Sequence, residues 1–301
     1  MTGLGNLIRR NVRLFFKDKG LFFSSLITPI ILLVLYITFL AKTYRDSFAS
    51  AMPQGFPISE KLLNAIVATQ LVSSLLAVSC VTVAFCSNLL MISDKVTGAV
   101  RDLTVTPVRR STIALGYFIS SSVSTLIVSF TALGAGLLYA YAQGWFMSAA
   151  DVLKLAVDVF LLTLFGIALS SCINFFLSTN GQASAVGTIV SAGYGFLCGA
   201  YMPISQFGEG LQKLLLYFPG TYGTSLIRNH AMAGTFREMK RLNLPDEAIN
   251  AIMKAVDCKL YFFNNEVKVQ SMYLVLIGSL LLLTLIYVLI NTISEKHKNA
   301  E

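Results

Sequence analysis

Side chains able to do chemistry are few here, and their spacing does not suit a catalyst. The only histidines are His230 and His297. No GxSxG, HExxH or paired-carboxylate pattern occurs, and no GxxxxGK[ST] loop is present to cradle nucleotide phosphates. Cys80, Cys86, Cys172 and Cys198 sit inside apolar runs, and only Cys258 lies in a polar segment. With no CxxC and no histidine at ligand spacing, the cysteines read as small buried hydrophobes. Asp151, Lys154 and Asp158 fall at i, i+3 and i+7, so they share one helix face and can pair. That row reads as interfacial ion pairing ahead of a proton relay, because one carboxylate beside a lysine does not make a chain. The expectation is a chain without catalytic residues, metal site or cofactor of its own, which takes energy from a partner if it does work.

Composition says where such a chain resides. Of 301 residues, 55% are hydrophobic and only 13% charged. Mean hydropathy is +0.70. Soluble domains carry about 25% charged residues, so much of this surface must face lipid. The net charge of +8 sits in short clusters between long uncharged runs, the pattern of membrane-protein loops and not of a nucleic-acid binder. A spanning helix needs about 20 mostly apolar residues. Six stretches qualify: Leu21 to Ala41, the uncharged interval between Lys61 and Asp94, Arg110 to about Tyr141, Asp151 to about Ser178, a fifth from there to about Pro203, and Gln270 to Ile293. Trp145 after the third suits an interface. The run after the basic N-terminal stretch is long enough to span and lacks the cleavage site of a secretory leader.

The expected fold is therefore all-α and polytopic, with six transmembrane helices. Its segments are an amphipathic element (1–20), spans one to five (21–203) with a loop at 94–110, a polar, partly amphipathic segment (204–268), and span six with a charged tail (269–301). Loop charge sets the orientation. The N-terminal segment, the 94–110 loop, the 178–182 turn and the tail hold 11 Lys/Arg, against 4 in the two short opposite loops. The positive-inside rule puts both termini in the cytoplasm and the 204–268 segment outside. In residues 1–20, Leu4, Leu7, Ile8, Val12 and Phe15 recur near helical spacing, with Arg9, Arg10, Arg13 and Lys17 mostly between them. This suits a helix lying in the inner interface with its cations at anionic head groups, or equally a charged topology anchor.

In the 94–110 loop, Thr97-Gly98 opens a short helix through Val100, Arg101, Asp102 and Leu103. Thr106-Pro107 then reads as an N-cap followed by proline at the first helical position, and Arg109 and Arg110 anchor span three. A short helix held between two spans could act as a lever. These residues resemble the type-2 ABC transporter permeases of drug, antibiotic and lipid or polysaccharide exporters. The carriers are Asp94-Lys95-Val96-Thr97-Gly98, Leu103, Val105-Thr106-Pro107-Val108-Arg109-Arg110 and Leu115-Gly116. Where the family has a Glu after the Gly, this chain has Arg101 with Asp102 beside it. A second stretch, Gly199-Ala200-Tyr201-Met202-Pro203-Ile204 through Leu211-Gln212 to Phe218-Pro219-Gly220-Thr221-Tyr222, is similar to the family's outer re-entrant hairpin. Phe218 and Gly220 replace that motif's Asn and Leu. Pro203 and Pro219 break helices, and Leu211, Leu214, Leu215 and Phe218 would dip back into the interface.

The resemblance implies a type V exporter-like fold: interfacial helix, cytoplasmic coupling helix, and outer hairpin. It implies a multi-pass plasma-membrane permease that exports a hydrophobic or amphipathic substrate (drug, antimicrobial peptide, lipid or lipid-linked glycan). Partners would be two ABC ATPase subunits, which hold ATP and Mg, a second permease (identical or homologous), and membrane lipid, with no nucleic acid. Coupling to the ATPase would fall to Asp94, Gly98, Arg101, Asp102, Leu103, Thr106, Pro107, Arg109 and Arg110. Pro203, Leu215, Phe218, Pro219 and Tyr222 would form an outer gate.

Spans two and five would line the route. Span five carries Gly187, Ser191, Gly195 and Gly199 at successive i+4 steps, a stripe for close helix approach between permeases or within one. In span two, Thr69, Gln70 and Ser73 offer an uncharged polar face, for substrate or for interhelical hydrogen bonds. Pro245-Asp246-Glu247 starts a short outer helix with Ile249, Ile252, Met253 and Val256 on one face, within a small cap from Asn229 to Lys268. The competing reading is an ion-coupled carrier working without an ATPase.

Overall fold

The computed structural model describes residues 2–51, 59–105, 108, 110–263 and 265–298. Helix α1 (Thr2–Lys17) leads into α2 (Lys19–Leu35), which passes through a π turn (Tyr36–Leu40) into α3 (Ala41–Ala51). Then come α4 (Glu60–Thr97), α5 (Ala99–Val105), α6 (Arg110–Gln143), α7 (Ala149–Phe175) and α8 (Asn180–Leu197). A 3-10 turn (Ile204–Gln206), α9 (Glu209–Leu215), α10 (Pro219–Arg241), α11 (Asp246–Ala255), a hairpin of β1 (Tyr261–Phe262) and β2 (Asn265–Glu266), and α12 (Val269–Lys298) complete the chain.

Local sequence sets most boundaries. Ser59 caps α4 by accepting from Leu62 N, Ser148 and Asp151 form a reciprocal capping box on α7, and Thr179 caps α8. Each satisfies a backbone donor that a helix start leaves open. Gly98 ends α4 in the left-handed region at φ +83, which glycine adopts without a Cβ penalty.

Five helices among the described residues are long and apolar enough to cross a membrane: 19–46, 60–97, 111–143, 149–175 and 269–293. The fifth expected span, α8, is 18 residues long but falls outside that set. Asn180, Gln182 and the glycines 181, 187, 193 and 195 dilute its apolar content. Helix α4 is the axis of the bundle. Its most apolar window is 78% buried, against 17% for the α2–α3 helix and 11% for α12. So α4 is core, and α2 and α12 turn most of their apolar surface outward, as lipid-facing helices do.

The stretch from Asn229 to Lys268, expected as a small cap, is continuous with the 204–228 segment through one helix, α10. This helix packs against α4, α7 and α12. The hydropathy of α10 hid this, because its interior is built from small and hydroxyl residues (Gly220 to Ser225) and still becomes buried. The hairpin tip lies deep: the Phe218 ring meets Phe165 at 6.2 Å, and Phe165 is about 24 Å along α7 from its start at 1.5 Å per residue. From there α10 runs antiparallel to α7. Arg237 pairs with Asp151 and His230 Nδ1 with Asp158, so both rungs are seven residues apart on each helix. Tyr273 of α12 also donates to Asp158. In the expected Asp151–Lys154–Asp158 row the two carboxylates instead bond to α10, and Lys154 is exposed.

Close approach at the far end of α10 depends on Gly234. A Cβ there would stand 2.2 Å from the Phe146 carbonyl oxygen, which is backbone and cannot swing away. Gly234→Ala is expected to destabilise the chain by about 1–3 kcal/mol, the cost of overpacking. A detergent melting curve checks this, and an unchanged midpoint would refute it.

Candidate functional site

Two regions stand out, one at the α5 end of the bundle and one along α8. At the first, Asp94 lies one turn before the end of α4 and is 5% exposed. Its carboxylate accepts from Arg10 Nη1 at 2.7 Å, Arg10 Nη2 at 3.1 Å and Tyr117 Oη at 2.5 Å. One acid thus joins α1, α4 and α6. The bidentate contact is the strong form of an arginine–carboxylate bond. It holds the Arg10 guanidinium above its ordinary value. Asn11 Nδ2 adds a bond to Ser120 Oγ at 3.3 Å.

Beside this knot, Leu7, Met91, Ile113 and Tyr117 form a small core with Leu103 and Val108 packed on it. Gly116 leaves room for Leu7, whose Cδ2 would be 2.4 Å from a Cβ at that position. The expected face of α1 holds for Leu7 and Phe15, which are buried. Arg9, Arg13 and Lys17 are exposed, but Arg10 turns inward to Asp94 and not to head groups.

Helix α5 is seated through Leu103 and presents Arg101 and Asp102 outward, both exposed. Gly98 is the joint between α4 and α5. Asp94, expected to meet an ATPase, is buried and engaged within the chain. Thr106, Pro107 and Arg109 lie outside the described residues, as does the side chain of Arg110.

The second region is a groove of about 1400 Å³ between α2–α3 and α8. Pro203, Gln206, Ala251 and Val256 also line it, and none of its lining residues is charged. Of the residues expected on the route, Gly187 and Ser191 line it. Thr69, Gln70 and Ser73 do not. All three are buried in the core, where the Thr69 and Ser73 hydroxyls bond back to their own helix. The Gln70 amide has no hydrogen-bond partner among the described residues. Gly195 and Gly199 pack closely within the chain, the second of the two readings of that stripe. A Cβ at Gly195 would stand 2.4 Å from the Tyr201 ring, and Gly199 has φ +73 with Ile204 against it.

Behind the end of the groove near α11 lies a polar hub that sequence reading missed. Arg228, fully buried, donates to Gly199 O at 2.6 Å, Ser74 Oγ at 3.1 Å and Asp257 Oδ2 at 3.1 Å. Asp257 also accepts from Ile204 N at 2.6 Å and Ser205 N at 3.2 Å. Burial pushes the Asp257 carboxyl up, while Arg228 and those two N–H groups pull it back. Tyr36, in the π turn, donates to Ala200 O at 2.8 Å, so α2 is pinned to the same hub.

Of the residues expected at an outer gate, only Pro203 lines the groove. Pro203 starts the 3-10 turn, Leu215 is buried, Phe218 and Pro219 open α10, and Tyr222 Oη donates to Leu216 O at 2.6 Å. A charge alone in the run from Leu214 to Phe236, apart from His230, was the signal that Arg228 carried.

A comparison with curated proteins returns no match. A family described as ABC-2 type transporter matches residues 2–231.

Proposed function

The chain belongs to the ABC-2 type transporter family, and from that premise we propose that it is the permease subunit of an ATP-driven exporter. Family members generally work with ATPase subunits. In this reading two ATPases bind ATP and Mg in the cytoplasm, and a second permease, identical or homologous, completes the route. Helix α8 is the sixth crossing, both termini are cytoplasmic, and the α9–α10 hairpin re-enters the plasma membrane from outside.

The observation that carries the reading is the knot at Asp94. A force applied to Arg101 and Asp102 on α5 reaches α4 directly, and through Asp94 it reaches α1 and α6. An isolated loop would absorb the same force by bending. The groove supplies the substrate path. Its uncharged lining suits a hydrophobic or amphipathic molecule such as a drug, antimicrobial peptide, lipid or lipid-linked glycan. The hub held by Arg228 lies behind its end near α11. Asp158 does not line the groove, so an ion bound there would not share the substrate's path, which weighs against an ion-coupled carrier.

The test is co-purification from the native membrane. The chain should carry a stoichiometric ATP-hydrolysing subunit. Reversing the exposed Asp102, with Asp102→Lys, should release it while leaving the melting curve within about 0.5 kcal/mol, as surface changes do. A chain that purifies alone while the ATPase is expressed would sink the reading.

A further inference from the structure

Lys95 sits next to Asp94 and reaches the other way. Its Nζ donates to Phe175 O at 2.7 Å, Leu177 O at 3.0 Å and Asn174 O at 3.3 Å. It also stands 5.5 Å from the Phe175 ring centroid. These carbonyls belong to the end of α7, where a helix leaves its last acceptors open and its dipole favours a cation.

The segment they sit in is short and held at both sides. Ser178 N donates to Gln182 Oε1 at 2.9 Å, and Gln182 N donates to Thr179 Oγ1 at 3.2 Å. Helix α8 starts directly after it, and its first turns line the groove through Ala183, Ser184 and Gly187. On the other side, Lys95 O accepts from Gly98 N, at the joint with α5. Two adjacent residues thus divide the connections of α5: Asp94 to α1 and α6, Lys95 to the α7–α8 turn. The turn also holds an unused polar group. The Asn174 side-chain amide is buried with no hydrogen-bond partner among the described residues, and such a group gains from any rearrangement that pairs it.

We propose that Lys95 is a positioning residue that carries displacement of α5 to α8, so that nucleotide-driven movement at the coupling helix moves the groove wall. This rests on the permease reading. A plain helix cap would steady α7 and leave α8 unmoved.

The test uses the full chain with its co-purified ATPase in nanodiscs. Spin labels are introduced as unnatural amino acids at Thr28 and Ser184, on two walls of the groove. The readout is the change in their separation between nucleotide-free and vanadate-trapped states. Lys95→Met should remove at least half of that change, an effect on the order of the severalfold couplings seen between linked sites, while the ATPase stays bound and active. Lys95→Arg, which can still donate to the carbonyls, should restore it. A full change in Lys95→Met, even with a lowered melting temperature, overturns the proposal and leaves Lys95 a cap. If Lys95→Met does not fold, two glycines inserted between Ser178 and Thr179 break the same link with the cap intact, and an undiminished change there overturns it equally. No change in the unmodified, hydrolysing complex also overturns it without touching the permease reading, whereas absence of any bound ATPase fails that reading itself.

Discussion

Replacing Arg228 with leucine should lower the stability of the chain by about 3–5 kcal/mol. The guanidinium is fully buried and bonds to α4, to the turn after α8 and to Asp257 after α11. Its loss leaves the Asp257 carboxylate in the core with only the Ile204 and Ser205 N–H groups. Removing one partner of a buried pair costs about 3–5 kcal/mol, a large share of the ~5–15 kcal/mol that holds a typical fold. The double change Arg228→Leu with Asp257→Leu should recover much of the loss, because an apolar replacement of both partners is often neutral.

The single variant should also be sensitive to pH in one direction. Burial already pushes the Asp257 carboxyl up, and without Arg228 it rises further. The folded chain then keeps a proton that the unfolded chain releases, so stability is greater at low pH and falls as pH rises through the folded value. Melting curves across pH for the wild type, both single variants and the double variant test this. An Arg228→Leu midpoint equal to wild type, or a double variant no better than the single, would refute it.

Asp94→Leu should leave a folded chain that no longer works with its ATPase. Arg10 is partly exposed and can regain water, so the chief structural loss is the buried Tyr117 hydroxyl left without its carboxylate. Hydrogen bonds to charged groups are worth about 1.5–3 kcal/mol. The functional loss has a separate cause: α1 and α6 are released together from the end of α4. ATPase retention on the purified chain should weaken about tenfold, the ratio that 1.4 kcal/mol gives. Tyr117→Phe should cost less, since it removes one bond and keeps the Arg10 pair. The exchange Arg10→Asp with Asp94→Arg should return part of the binding. Retention at the wild-type level in Asp94→Leu would show that α5 alone carries the contact.

Much of the fold could be read along the chain because it follows from local rules. Hydropathy over about 20 residues places α2, α4, α6, α7 and α12. Gly98 and the short helix after it are readable because only local backbone preference is involved. Helix α11 follows from its acidic start and the spacing of Ile249, Ile252 and Val256, all buried as expected. The half of α10 after Asn229 was read as part of an outer cap because hydropathy scores transfer to lipid, and α10 is sheathed by α4, α7 and α12 instead. The stripe on α8 was half misread because small residues permit close approach without saying to what. At Gly195 the answer is Tyr201, six residues on.

The pairings that hold the candidate site together were out of reach for a related reason. Arg10 and Asp94 are 84 residues apart, and Arg228 and Ser74 are 154 apart. Each pairing depends on the rotation and register of helices about their axes, which no sliding window contains. By itself, then, the sequence determined that this is a helical membrane chain with a short helix between two long ones, since burial in lipid and helix capping act over one or two turns. Only the tertiary structure decided that Asp94 is a knot and not a contact surface, that Asp151 and Asp158 face α10, and that Arg228 holds the hub. A charge in a membrane bundle goes wherever packing brings it a partner, and that choice is made between helices.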